Sequence, residues 1–178
     1  MKELSFKSAS ELVRGYKTGR FSPLEVLDAV LDRVDECEYR LNAWRLIDRI
    51  RARRRARASE VRWAKGKPCG LLDGVPAAIK DVTETKDWPT LNGSLSINPR
   101  GPWNVDAVVV ERLKSHGAVI LGKTETPEFA WRGITESELH GVTRNPWNPD
   151  WTPGGSSGGA GAAVSAGMGA IATGTDSG

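Results

Sequence analysis

"TPGGSSGGAGAAVSAGMGAIATGTDSG", residues 152–178, is the stretch that decides how the rest of the chain is read. Ser156 and Ser157 stand between two glycine pairs, and a helix-length run of Ala, Gly and Ser follows. An apolar segment at about 170–173 then leads into a second glycine-bounded loop, "GTDSG". A turn and a close-packed helix alone do not need four glycines and two serines together. Loop, small-residue helix, strand and loop in that order form one unit of an α/β layer architecture.

Working outward, "RNPWNPDWTP" (144–153) holds three prolines in ten residues and reads as a stiff, irregular loop. "DAVVVERLKSHGAVILGKT" (106–124) predicts a helix opened by Asp106, a stop at Gly117 and a strand over Ala118–Leu121. "GVPAAIKD" (74–81) predicts a short apolar strand closing on Lys80. The first third reads as helical. Ser8–Glu11 and Ser22-Pro23-Leu24-Glu25 are capping boxes, the second with Pro at the first helical position. Leu27, Val30, Leu31 and Val34 mark one buried face, which Cys37 continues. In "RIRARRRARASEVRW" (49–63), Ala52, Ala56, Ser59 and Trp63 recur at i, i+4, i+7 and i+11. That stripe predicts a helix that buries its small side chains and solvates its arginines. The expected division is a helical region over 1–66 and the start of an α/β core over 67–178, with no internal repeat.

Composition narrows the function classes. The chain has 178 residues, enough for one domain with a core, and a formal charge of +3 that points to no particular partner. No aromatic interleaving accompanies the arginine run, so nucleic acid is not an expected partner. Cys37 and Cys69 show no metal-ligand spacing to His116 or His140. "MKELSF" has no apolar signal segment, and the Ala/Gly run after Ser156 is too weakly apolar to span a bilayer. The expectation is a soluble cytoplasmic protein, with no membrane partner.

Two motif matches fail on physical grounds. "GAVILGKT" (117–124) fits the phosphate-loop pattern, but its four inner residues look like the strand itself. "GGSSG" (154–158) fits a nucleophile elbow, yet a proline loop precedes it and the last histidine, His140, lies upstream. "GAG" (159–161) follows no strand and lacks the third glycine of a dinucleotide fingerprint. Lys80 stays open between two readings. It either turns to the surface at the strand end or is held inside. Held inside, it loses hydration, its pKa falls and it becomes a base for a serine.

Lys80 in "GVPAAIKD", then "TPGGSSGG", then "GTDSG", together resemble the amidase signature family, and the likeness extends over nearly the whole chain. "SPLEVLDAVLDRVDECEYRLNAW" is similar to its N-terminal helices and "GAVILGKTETPEFAW" to its strand and turn. The resemblance implies a mixed-sheet α/β/α domain, incomplete at the C-terminus, that hydrolyses carboxamides through a Ser–Ser–Lys triad without metal or organic cofactor. It assigns Lys80 as base, Ser156 as the bridging serine after a cis peptide from Gly155, and Ser157 as support for the loop. It gives the backbone N–H groups of Ser177 and Gly178 to the oxyanion hole, and places the nucleophilic serine two residues past Gly178. A small-molecule amide is the implied substrate, and a homodimer of the full-length protein is compatible with the family. The chain as given is expected to be inactive alone and marginal in solution. Its rivals are the amidase component of a glutamine-dependent tRNA amidotransferase and a non-catalytic remnant.

Overall fold

The computed structural model describes residues 2–176, so Ser177 and Gly178 lie outside the described residues. Three helices open the chain: α1 (Lys2–Ser5), α2 (Ala9–Thr18) and α3 (Pro23–Leu41). Both expected capping boxes form. Ser8 Oγ accepts the Glu11 N–H while the Glu11 carboxylate accepts the Ser8 N–H, and Ser22 and Glu25 repeat the exchange. Gly19 (φ 68°) and Asn42 (φ 49°) end α2 and α3 in the left-handed conformation, which these two residue types tolerate best.

The first third is not all helix. After Asn42 the chain forms β1 (Trp44–Ile47) before α4 (Arg49–Ala64), which buries Ala52, Ala56 and Ser59 as the stripe predicts. Next come β2 (Pro76–Lys80), α5 (Val108–Ser115) and β3 (Val119–Thr124). A small hairpin, β4 (Glu136–Ser137) and β5 (Gly141–Val142), precedes α6 (Gly158–Ser165) and β6 (Ile171–Ala172).

The main sheet has the order β1-β3-β2-β6, with β2 parallel to both neighbours and β1 antiparallel to β3. Helices cover both faces. On one, Leu27, Val30 and Leu31 of α3, Ala52 of α4 and Ala162 of α6 close over Ala78, Val119 and Leu121. On the other, Val110 of α5 and Trp88 pack on Ile79 and Ile120. Every residue of β2 and β3 is therefore buried, as in strands covered on both sides. This is a mixed α/β fold in three layers.

Two boundaries differ from the sequence reading. Helix α5 begins at Val108, and its N-cap Ala107 makes no side-chain bond. Asp106 accepts the Lys86 N–H at 2.7 Å and pairs with Lys114 Nζ at 2.5 Å, which ties the preceding loop to α5. Strand β3 runs three residues beyond Leu121, through Gly122-Lys123-Thr124. A Cβ on Gly122 would lie 1.9 Å from the Leu46 carbonyl oxygen, so this glycine admits the close approach of β1 where its antiparallel pairing with β3 is irregular. Lys123 is fully buried within that strand.

Candidate active site

Lys80 ends β2 with no exposed surface, which settles its two readings in favour of the buried one. Its Nζ lies 2.6 Å from Ser156 Oγ, 3.0 Å from Ser157 Oγ and 2.6 Å from Thr175 Oγ1. Its backbone N–H donates to Thr173 Oγ1 at 2.9 Å. Burial alone brings the amine down from its ordinary value to about 8. Among the described residues no carboxylate opposes that fall, so a minor part of the amine is free near neutral pH.

Counting hydrogens separates the three hydroxyls. Ser157 Oγ donates its one proton to the Thr175 carbonyl at 3.2 Å and accepts the Thr175 N–H at 3.1 Å. It therefore accepts from Lys80. Ser156 and Thr175 keep hydroxyl protons that can turn toward the lone pair of a neutral amine.

The glycines explain how the serines reach the lysine. The Gly155–Ser156 peptide is cis. A Cβ on Gly155 would sit 2.7 Å from the Ile134 backbone, one on Gly158 would sit 2.2 Å from Thr135 Oγ1, and one on Gly159 would sit 2.5 Å from Glu125 N. The loop threads between the chain at 125–126 and the chain at 133–135. Thr135 Oγ1 donates to the Gly154 carbonyl at 2.9 Å and accepts the Gly158 N–H at 3.0 Å. Thr126 Oγ1 donates to the Ser156 carbonyl at 3.2 Å. Gly155, Ser156, Ser157 and Lys80 thus meet in one place, while the expected oxyanion donors Ser177 and Gly178 lie outside the described residues.

Thr126, Thr135, Thr173 and Thr175 escaped the sequence reading. Only Thr175 carried a signal, its place in "GTDSG" just after a strand. Neither histidine joins the site. His116 Nδ1 accepts the Leu71 N–H at 3.2 Å, and His140 Nδ1 lies 3.6 Å from Glu125 Oε1.

A second buried lysine braces the site from behind. Lys123 Nζ donates to the Thr83 carbonyl at 2.6 Å and to Thr90 Oγ1 at 2.8 Å, and lies 3.3 Å from Asp81 Oδ1. Arg45 Nε lies 2.9 Å from Asp81 Oδ2. Asp81 in turn accepts the N–H groups of Leu91 and Asn92, fixing the loop that follows Lys80.

Residues 25–178 match the family model described as Amidase. The chain is 45% identical to a glutamyl-tRNA(Gln) amidotransferase subunit from Thermobifida fusca, over all of this chain and 36% of that protein. It is 44% identical to the indoleacetamide hydrolase of Bradyrhizobium diazoefficiens, over 96% of this chain and 32% of that one. A crystal structure of an amidase superposes with a TM-score of 0.88 at 35% identity, over 96% of this chain and 38% of the other. The chain thus spans about a third of the length of the curated relatives it matches. Among the described residues, no helix is long and apolar enough to cross a membrane. With most of its length matched by the family model and its fold shared with solved amidases, the chain belongs to the amidase signature family of enzymes.

Proposed function

We propose that this chain is the first part of an amidase domain that cleaves carboxamide C–N bonds with Lys80 as base and Ser156 as proton bridge. The observation that carries the reading is the 2.6 Å contact between a fully buried Lys80 Nζ and Ser156 Oγ, with no carboxylate among the described residues opposing the lowered pKa. The family resemblance assigns the nucleophile to a serine expected two residues past Gly178. Neutral Lys80 takes the Ser156 proton as Ser156 takes the nucleophile's. The freed alkoxide attacks the amide carbonyl, and the backbone N–H groups of Ser177 and Gly178 receive the oxyanion. Collapse breaks the C–N bond. The leaving nitrogen collects the proton returned through Ser156, and water then hydrolyses the acyl-enzyme by the same route.

The test uses the full-length protein. Lys80→Ala is expected to abolish amide hydrolysis and retained turnover refutes the assignment, while mass spectrometry after a fluorophosphonate should place the label on the serine past Gly178. Residues 1–178 expressed alone should show no turnover. Near-equal identity to the tRNA amidotransferase protein supports a second reading, in which the same chemistry releases ammonia from glutamine for a glutamyl-tRNA. Co-purifying partner proteins and tRNA-dependent glutaminase activity would select it.

A further inference from the structure

The proposed mechanism leaves the arginine run of α4 unused. Seven arginines lie on this helix, against the single acid Glu60. Arg49, Arg51, Arg53 and Arg62 pair with Asp35, Asp48, Asp28 and Asp73. Among the described residues, Arg54, Arg55 and Arg57 make no ion pair or hydrogen bond. Arg54 and Arg57 are exposed, and water solvates their charge. Arg55 is half-buried, and burial and then Arg51 lower its pKa, against the pull of Asp106. A guanidinium does not shed its proton in a protein, so burial leaves this charge uncompensated.

Arg55 lines a pocket of about 230 Å³ together with Arg62, Lys114, Cys69 and the Gly117–Ala118 turn. The pocket sits at the amino end of β3, whereas Lys80 closes the carboxyl end of the parallel strand β2. Among the described residues no acidic side chain lines it. The carboxylates nearby are already engaged. Asp73 accepts Arg62 Nε at 2.8 Å, Arg62 Nη2 at 2.6 Å and the Cys69 N–H at 2.9 Å. Asp106 accepts Lys114 Nζ at 2.5 Å and the Lys86 N–H at 2.7 Å. These pairs hold Arg62 and Lys114 in place beside Arg55, and Arg62 keeps its Nη1 donors outside its own pair. Pockets for drug-sized ligands run to roughly 300–1,000 Å³, so this smaller one suits a small ion. Cations arriving from two helices favour a tetrahedral ion, whose oxygens point several ways, over a flat carboxylate.

We propose that Arg55, with Arg62 and Lys114, binds a dianionic phosphoryl group, as inorganic phosphate or as the head of a phosphomonoester, at the opposite end of the strands from Lys80. The planar Arg55 guanidinium offers paired N–H groups to two phosphate oxygens, and Lys114 adds a point charge. This site stands whether or not Lys80 and Ser156 cleave amides.

In the full-length protein Cys69 reports occupancy, because it is a free, exposed thiol in the lining. At fixed ionic strength, inorganic phosphate is expected to slow its alkylation by iodoacetamide saturably, read by mass spectrometry of the Cys69 peptide, with a matching calorimetric Kd. Arg55→Ala should weaken that Kd about 10- to 100-fold, the range for losing a charge-assisted hydrogen bond. Arg55→Gln serves if the first variant fails to fold. Arg54→Ala, on the exposed side of the same helix, should leave the Kd within about twofold. Ribose 5-phosphate separates the two sources: binding tighter than phosphate assigns the site to a phosphomonoester, and weaker binding assigns it to the free ion. Equal protection by chloride or acetate, an equal loss in Arg54→Ala, or no saturable protection of Cys69 overturns the proposal.

Discussion

Lys80 and Lys123, both fully buried, leave opposite faces of two neighbouring parallel strands, Lys80 opposite Thr124 and Lys123 opposite Ile79. They do opposite work. Among the described residues Lys80 Nζ meets only hydroxyls and no counter-charge, whereas Lys123 is paired with Asp81 and holds the Thr83 carbonyl. Lys80→Met in the full-length protein should therefore lose turnover while its urea midpoint stays level or rises. Lys123→Met strips the Asp81 network of a partner and should cost about 3–5 kcal/mol. Equal losses of stability in the two variants would contradict this division.

The rate should follow the protonation of Lys80. Burial lowers its pKa to about 8, and only the free amine takes a proton from Ser156. In the full-length protein kcat/KM should climb with pH and level off above about 8. Lys80→Arg, which stays protonated, should be inactive across the range. A rate that is flat from pH about 6 to 10 would remove the lysine from the rate-determining proton transfer.

How far the sequence could be read depends on the range of each interaction. The capping boxes at Ser8 and Ser22 and the small-residue stripe of α4 are local, and they form as their spacing requires. Strand β1 is four residues between two helices, and only its pairing with β3 makes it a strand. The glycines around Ser156 exceeded what a turn and a helix need without showing why, because Ile134, Thr135 and Glu125 reach them only through the fold. Thr175 lies 95 residues from Lys80, and β6 is what carries it there. Lys80 itself was ambiguous in isolation. Burial of a strand end is decided by the helices on both faces, which no local pattern states.

The glycines of the loop and its helix should divide sharply under substitution. A Cβ on Gly159 would meet the Glu125 backbone at 2.5 and 2.6 Å and the Ala43 carbonyl at 2.7 Å, none of which yields like a side-chain end. Gly159→Ala should cost about 1–3 kcal/mol or more and displace Ser156 from Lys80, lowering turnover as well. Two residues on, Gly161 lies in the same helix with nothing within 4 Å of its Cβ position. Gly161→Ala should stabilise by about 1 kcal/mol through helix propensity, with turnover unchanged. Chemical denaturation of both variants reads the contrast, and a destabilised Gly161→Ala would show that the helix face is not open.

Glu125 gives the fold a pH dependence of opposite sense to that of the lysines. Burial, and then the nearby Asp81, push its carboxyl up from 4.5 to about 8, against the pull of Arg45, and Glu38 adds to the rise. His140 faces it at 3.6 Å, and burial and then Arg45 lower that imidazole's own pKa, favouring its neutral form. Between pH 4.5 and about 8 the unfolded chain gives up the Glu125 proton while the folded chain keeps it. The unfolded state then binds fewer protons, so stability falls as pH rises through that window. Glu38, raised to about 7, acts in the same sense, whereas Lys80 and Lys123 favour the folded state with rising pH only above about 8. Glu125→Gln keeps the neutral shape at every pH. It should leave the melting temperature near pH 4.5 almost unchanged and raise it at pH 8, flattening the profile between. A variant that tracks the parent protein across that range would mean that Glu125 ionises in the folded state as it does in water.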